Sequence, residues 1–204
     1  AASDVYKRQF VTGMAGSVVI GRVLTLPISS AAICAGLVLT GSAAAAGSSE
    51  GLAVAGAAAV AGCCAQMVGF AVISFRENKW GGLLSQGIGT SMLQMPNIIK
   101  NPRIWIAPTL ASAITGPLAT CVFDLKMYGA AINSGMGTCG LLGPIGMILG
   151  WFDGENAYPY DVTVLNWVGL VLVCFILPAV LSLLFDFLMR KLGWVKDGDM
   201  KLEL

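Results

Sequence analysis

The chain has 204 residues, 56% of them hydrophobic and 11% charged, with a net charge of +1 and a mean hydropathy of +0.79. Soluble domains carry about 25% charged residues, so an ordinary soluble domain is excluded, as is the basic field that nucleic-acid binding needs. The absence of histidine excludes Ser-His-Asp and Cys-His nucleophiles and most zinc sites.

Residues 104–123, 127–152 and 162–185 carry no charge, and each window reaches the ~20 residues that span a hydrocarbon core. The chain is therefore read as an integral membrane protein in contact with lipid. Residues 1–9 read AASDVYKRQ. Positions 4–9 match the translation of a sequencing-library transposon end, so 1–9 is set aside as an artefact and the natural chain is expected to extend further N-terminally.

The first apolar run, 10–26, carries a small-residue stripe at Gly13, Ser17 and Gly21 and is interrupted by Arg22 before Pro27, Ser29 and Ser30. A cation there faces protein or a watery cavity, beside hydroxyls at a broken helix, or else snorkels to the interface. Residues 31–39 are too short to span, and 41–50 is a turn region. Residues 52–74 form a clean span in which Ala57, Ala61, Ala65 and Gly69 make a small face, predicting a centrally packed helix. Gln66 is the only amide in it, a substrate contact or an interhelical hydrogen bond.

Residues 75–103, FRENKWGGLLSQGIGTSMLQMPNIIKNPR, are the stretch around which the reading turns. Charges flank Gly81, Gly82, Gly87, Gly89 and Pro96, with amides at Asn78, Gln86, Gln94 and Asn97. Backbone of this kind at membrane depth must be buried in protein or line a cavity. A re-entrant hairpin is therefore weighed against a cytoplasmic amphipathic connector.

Residues 104–123 span again, with kinks predicted at Pro108 and Pro117. The run that follows contains Asn133 and a literal G-x-G-x-x-G at Gly135, Gly137 and Gly140, with Asp161 downstream. A dinucleotide site needs a βαβ unit around that motif, which nothing here supplies, so the run reads as a second re-entrant hairpin. Residues 153–161 are an acidic outer loop with Tyr158 and Tyr160 at the interface. The last span, 163–185, is kinked at Pro178, and Asp186 and Arg190 can pair at i, i+4.

Basic residues place both 75–103 and the tail in the cytoplasm. The spans 104–123 and 163–185 already make an even number of crossings, so 127–152 must enter and leave on the outer side. The fold expected is all-α: a polytopic membrane protein with broken helices and two re-entrant hairpins entering from opposite faces. The six cysteines, at 34, 63, 64, 121, 139 and 174, read as small buried hydrophobes ahead of a redox or metal role. No catalytic residue, metal site or cofactor is read from the chain.

Several segments resemble one family: LTLPISSAAI at 24–33, GCCAQMVGFA at 62–71, FREN at 75–78 with WGG at 80–82, GTSMLQMPNIIKNPRIW at 89–105, GMGT at 135–138 and the tail from Gly193. They are similar to the membrane IIC components of bacterial phosphoenolpyruvate-dependent sugar phosphotransferase systems, in a branch of stand-alone IIC-like proteins. The resemblance runs from residue 10 to residue 204. It implies that 10–188 is the C-terminal half of the transmembrane domain and 189–204 a cytoplasmic tail, in a multi-pass protein of the bacterial plasma membrane. It also implies a homodimer in full-length form, a sugar bound near the midplane between hairpins, and cytoplasmic IIA and IIB partners, IIB supplying the phosphoryl group. A hairpin glutamate commonly binds a sugar hydroxyl in the family, and that role maps onto Glu77; the histidine some members use has no counterpart here. The candidate substrate contacts are thus Glu77, Asn78, Gln86, Gln94, Asn97, Gln66, Arg22, Ser29, Ser30 and Asn133. For Glu77 the alternative is a surface ion pair. For the chain, the alternatives are a transporter of the same fold without phosphorylation, or a membrane sensor that recruits a regulator.

Overall fold

The computed structural model describes residues 49–128, 131–152 and 161–202. Arg22, Ser29 and Ser30, the early runs and 153–160 of the outer loop lie outside the described residues. Among the described residues all regular structure is helical.

Helix α1 (Ser49–Ile73) is rich in alanine, contains no proline, and is apolar on every side. A helix with that character has no solvent face to present and belongs inside. Ala57, Ala61 and Ala65 are buried to 1% exposure or less, and the small face is used for close approach. A Cβ on Gly69 would lie 2.6 Å from the Ser182 hydroxyl and 3.1 Å from Pro108. The central packing predicted from the small-residue stripe is what the structure shows.

Between Ser74 and Pro102 the chain forms no further spanning helix. Helix α2 (Phe75–Leu84) is broken at Lys79, whose φ is 51°. A π turn, Ser85–Gly89, leads to Thr90 in extended conformation. The Thr90 hydroxyl accepts the Met92 N–H at 3.2 Å and so starts a short 3₁₀ turn, Ser91–Gln94. Helix α3 (Met95–Lys100) follows with Pro96 in its first turn, where a missing N–H is harmless. Asn101 ends it and caps the next 3₁₀ turn, Pro102–Trp105. Helix α4 (Ile106–Pro117) then runs back along α1. Pro108 sits in its first turn, and Pro117 is followed by a wide π turn, Leu118–Val122. The hairpin lies at the Ile73 end of α1: a Cβ on Gly87 would meet Ala71 at 3.4 Å.

At the other end, Met127 N–H donates to the Ala53 carbonyl at 2.9 Å. Two 3₁₀ turns, Ala131–Gly135 and Cys139–Leu141, carry the chain inward, and helix α5 (Leu142–Phe152) brings it back. On the way in the chain presses on α1 at Gly137, with φ +54° and room for no side chain: a Cβ would lie 2.7 Å from that of Cys63, midway along α1. The return is fixed by the Trp151 indole, which donates to the Lys126 carbonyl at 3.1 Å. The glycine-rich run therefore enters and leaves at one end of α1. Its inner turn, Cys139–Leu141, lies against Ser85–Gly89 of the first hairpin.

Helix α6 (Val164–Val171) begins at a capping box of Thr163 and Asn166, and Asn166 Nδ2 donates to the Phe123 carbonyl at 2.9 Å. A π turn, Leu172–Ile176, precedes Pro178 and joins α6 to helix α7 (Leu177–Lys191). The combined 28-residue run, Ala53–Ile73 and Pro102–Val122 are long and apolar enough to cross a membrane. Val164, Val168, Val171, Val180, Leu184 and Phe187 stand exposed along the α6–α7 run, a continuous apolar face of the kind lipid covers. Two buried clusters mark the ends of α1. One gathers Met127, Met147, Trp151 and Leu170; the other gathers Phe70, Ile73, Ile98, Ile104, Val195 and Met200. The last two belong to the segment after α7, which folds back onto the first hairpin.

Candidate functional site: the amide rail of the first hairpin

Each break in 75–103 aims a polar side chain at the same place. Glu77 and Asn78 lie on the first turn of α2, Gln86 in the π turn, Gln94 at the end of the 3₁₀ turn and Asn97 on α3. Gln86 Nε2 donates to the Ser74 hydroxyl at 2.9 Å, and its Oε1 accepts from Gln94 Nε2 at 3.0 Å. Gln94 Oε1 accepts from Asn97 Nδ2 at 2.8 Å. The chain of amides polarises head to tail, donor into acceptor, which strengthens each bond in a dry environment. Gln86 and Gln94 are fully buried.

The rail ends on main chain. Asn78 Nδ2 donates to the Met200 carbonyl at 2.8 Å and Asn78 Oδ1 accepts the Leu202 N–H at 2.8 Å. Gln94 Nε2 also reaches the Met200 carbonyl, at 3.1 Å, and Asn97 Nδ2 the Lys201 carbonyl, at 3.0 Å. Glu77 Oε2 accepts the Met200 N–H at 2.9 Å. Asn101 Nδ2 donates to Asp199 Oδ2 at 2.8 Å and to the Trp194 carbonyl at 3.3 Å.

Glu77 is held by a cation far away in sequence. Arg190 Nη2 lies 3.4 Å from Glu77 Oε1, Arg190 Nε 2.7 Å from Asp186 and Arg190 Nη1 2.6 Å from Asp197. The Glu77 side chain is only 9% exposed and Arg190 12%. Glu77 is therefore part of a largely buried ion network and not of an exposed surface pair. The i, i+4 pairing of Asp186 with Arg190 is present as the sequence suggested.

Gln66 stands apart from the rail. It is fully buried on α1, and among the described residues neither its Nε2 nor its Oε1 has a hydrogen-bond partner. The hydroxyls of Ser91, Thr138 and Ser182 are buried and likewise without a partner among the described residues. Ser91 belongs to the first hairpin and Thr138 to the second, and both hairpins pack on α1. Asn133 lies at the start of the second hairpin with its side chain against Gly146 of α5, where a Cβ would come within 2.7 Å. The structure thus brings five candidates together at one rail, leaves Gln66 and Asn133 elsewhere, and describes none of Arg22, Ser29 and Ser30. Asn101 and Arg190 were missed as parts of the network. The amide density of 75–103 pointed to Asn101, whereas nothing local to Arg190 pointed to Glu77.

A carboxylate and a file of amides can exchange hydrogen bonds with hydroxyls or with peptide groups. They supply no nucleophile, and no group of side chains suited to a metal ion occurs among the described residues. The comparison with known families matches residues 8–202 to the phosphotransferase system EIIC family. The chain belongs to that family. As an EIIC protein it is a membrane component of sugar transport that cooperates with phosphotransfer proteins. Neither curated proteins nor solved structures give a match.

Proposed function

We propose that this EIIC chain binds a sugar and carries it to the cytoplasmic face for phosphorylation by a IIB partner, with Glu77, Asn78, Gln86, Gln94 and Asn97 as the polar contacts of the cytoplasmic hairpin. The observation that carries the reading is the convergence of these five side chains from four separate helical pieces onto one largely buried rail. Gln66 extends it inward. An amide with both ends unpaired is costly in a dry interior, and it lies on the helix against which both hairpins pack, where a hydroxylated ligand would satisfy it. In this reading 10–188 is the C-terminal half of the transmembrane domain, which dimerises in the full-length protein, and 189–204 is cytoplasmic.

The test is Glu77→Gln in the full-length protein, scored for binding and for IIB-dependent phosphorylation across a sugar panel. Glutamine keeps the shape and removes the charge. Charge-assisted hydrogen bonds contribute about 1.5–3 kcal/mol, so affinity for the true substrate is expected to fall about tenfold or more. Unchanged affinity would return Glu77 to a purely structural ion pair. Uptake without phosphorylation by any IIB protein would leave a transporter of the same fold.

A further inference from the structure

Four of the five hairpin side chains assigned to the sugar above are occupied by a segment of the chain itself. Glu77 and Asn78, Gln94 and Asn97 bond the N–H of Met200, the N–H of Leu202 and the carbonyls of Met200 and Lys201. Every one of these contacts is to main chain. Peptide groups and sugar hydroxyls both present closely spaced donors and acceptors, so a rail that reads one suits the other. A given N–H or lone pair cannot serve both at once.

The segment is built to dock as a unit. Gly193, with φ +71°, turns it away from α7, and Gly198, with φ +99°, bends it again. Met200 and Val195 are its apolar anchors, 0% and 3% exposed. Asp197, 87% exposed on its side chain, ties it to Arg190. Its fit is not tight throughout. A cleft of about 200 Å³ remains between Asn97, Lys100 and Asn101 on one wall and Gly198, Asp199 and Lys201 on the other.

We propose that residues 194–202 are a strap that competes with the sugar for Glu77, Asn78, Gln94 and Asn97, closing the first hairpin until it is displaced. The sugar half of this statement rests on the proposed function; the strap half rests on the docking alone. Two occupants of one set of groups must weaken each other equally, because linkage is reciprocal.

The experiment uses the full-length protein in lipid nanodiscs and has two arms. In the first, a chain ended after Leu192 is titrated with a fluorescent peptide of sequence 193–204. Saturable binding is expected, weakened about tenfold by Asn78→Ala. The intact chain should bind the same peptide at least about tenfold more weakly, because its tethered tail competes at roughly millimolar effective concentration. No saturable binding to the shortened chain, or equal binding to both, overturns the strap. Where shortening prevents folding, Met200→Asp in the intact chain, which removes the anchor, takes its place. In the second arm, a panel of hexoses and hexitols is titrated against intact and Met200→Asp protein. A sugar that binds the intact chain should bind the variant about tenfold more tightly and should displace the peptide. Sugar and peptide binding together without mutual effect overturns the competition. If no sugar of the panel binds either protein, the sugar reading fails, and the peptide arm still decides the strap.

Discussion

Arg190 is where a single substitution should cost most. Its guanidinium uses Nε, Nη1 and Nη2 to meet Asp186, Asp197 and Glu77, and two of those carboxylates are nearly buried. Removing one partner of a buried ion network strands the rest, at about 3–5 kcal/mol. Arg190→Ala is therefore expected to lower the unfolding midpoint in detergent strongly and to release the tail. Arg190→Lys tests geometry against charge. An ammonium is a point charge on a flexible stem and cannot hold the fork, so lysine should recover less than half of the loss. Full recovery would show that charge alone matters and that the three-way arrangement does not.

At the scale of elements, Gly69 of α1 and Gly137 packed against it separate two kinds of close packing. An Ala at Gly69 would press on a hydroxyl, Ser182 Oγ at 2.6 Å, and on Pro108. An Ala at Gly137 would press on backbone, the Cys63 carbonyl carbon at 2.8 Å and the Cys64 nitrogen at 3.0 Å, at a φ of +54° besides. Overpacking costs about 1–3 kcal/mol where neighbours can adjust. Gly69→Ala should thus be partly rescued by Ser182→Ala, measured as a double-mutant cycle. Gly137→Ala should cost more and resist rescue by Cys63→Ala, since the Cys63 Cβ at 2.7 Å and the backbone atoms beside it all remain. Equal rescue at both sites would contradict the tight apposition of the second hairpin on α1.

How much of this the sequence disclosed depends on which groups do the work. The small face of α1 and the glycine and proline breaks of 75–103 are side-chain patterns, so both the central helix and the broken hairpins could be read. The docking of the tail could not. Asn78, Gln94 and Asn97 read peptide groups of 200–202, and a peptide group leaves no mark in a sequence. Glu77 and Arg190 are 113 positions apart, and the nearer cations, Arg76 and Lys79, were the natural partners to assign to Glu77. Met200 and Val195 were the signal available: apolar residues set among the charges of the tail, both of which prove to be buried.

For the whole molecule the decisive property is the distribution of charge between the two ends of α1. Every described Lys and Arg except Lys126 belongs to the first hairpin, the end of α7 or the tail folded onto that hairpin. The opposite end holds Met127, Trp151 and the start of α6, with the Asn166 to Phe123 bond closing it. Basic residues are retained on the cytoplasmic side, so the rail and tail are expected there, with 161–163 outside. This orientation needs 127–152 to return to the side it left, which the Trp151 to Lys126 bond accomplishes in the fold. Single cysteines at Lys100 and at Asp161, both exposed, test it in a background freed of native cysteine. An impermeant maleimide is expected to label the Asp161 site in intact cells and the Lys100 site only in inverted vesicles. Labelling of both from one side would require α4 and the α6–α7 run to leave the two positions on the same face. Neither the cytoplasmic place of the rail nor its access to a IIB partner would then stand.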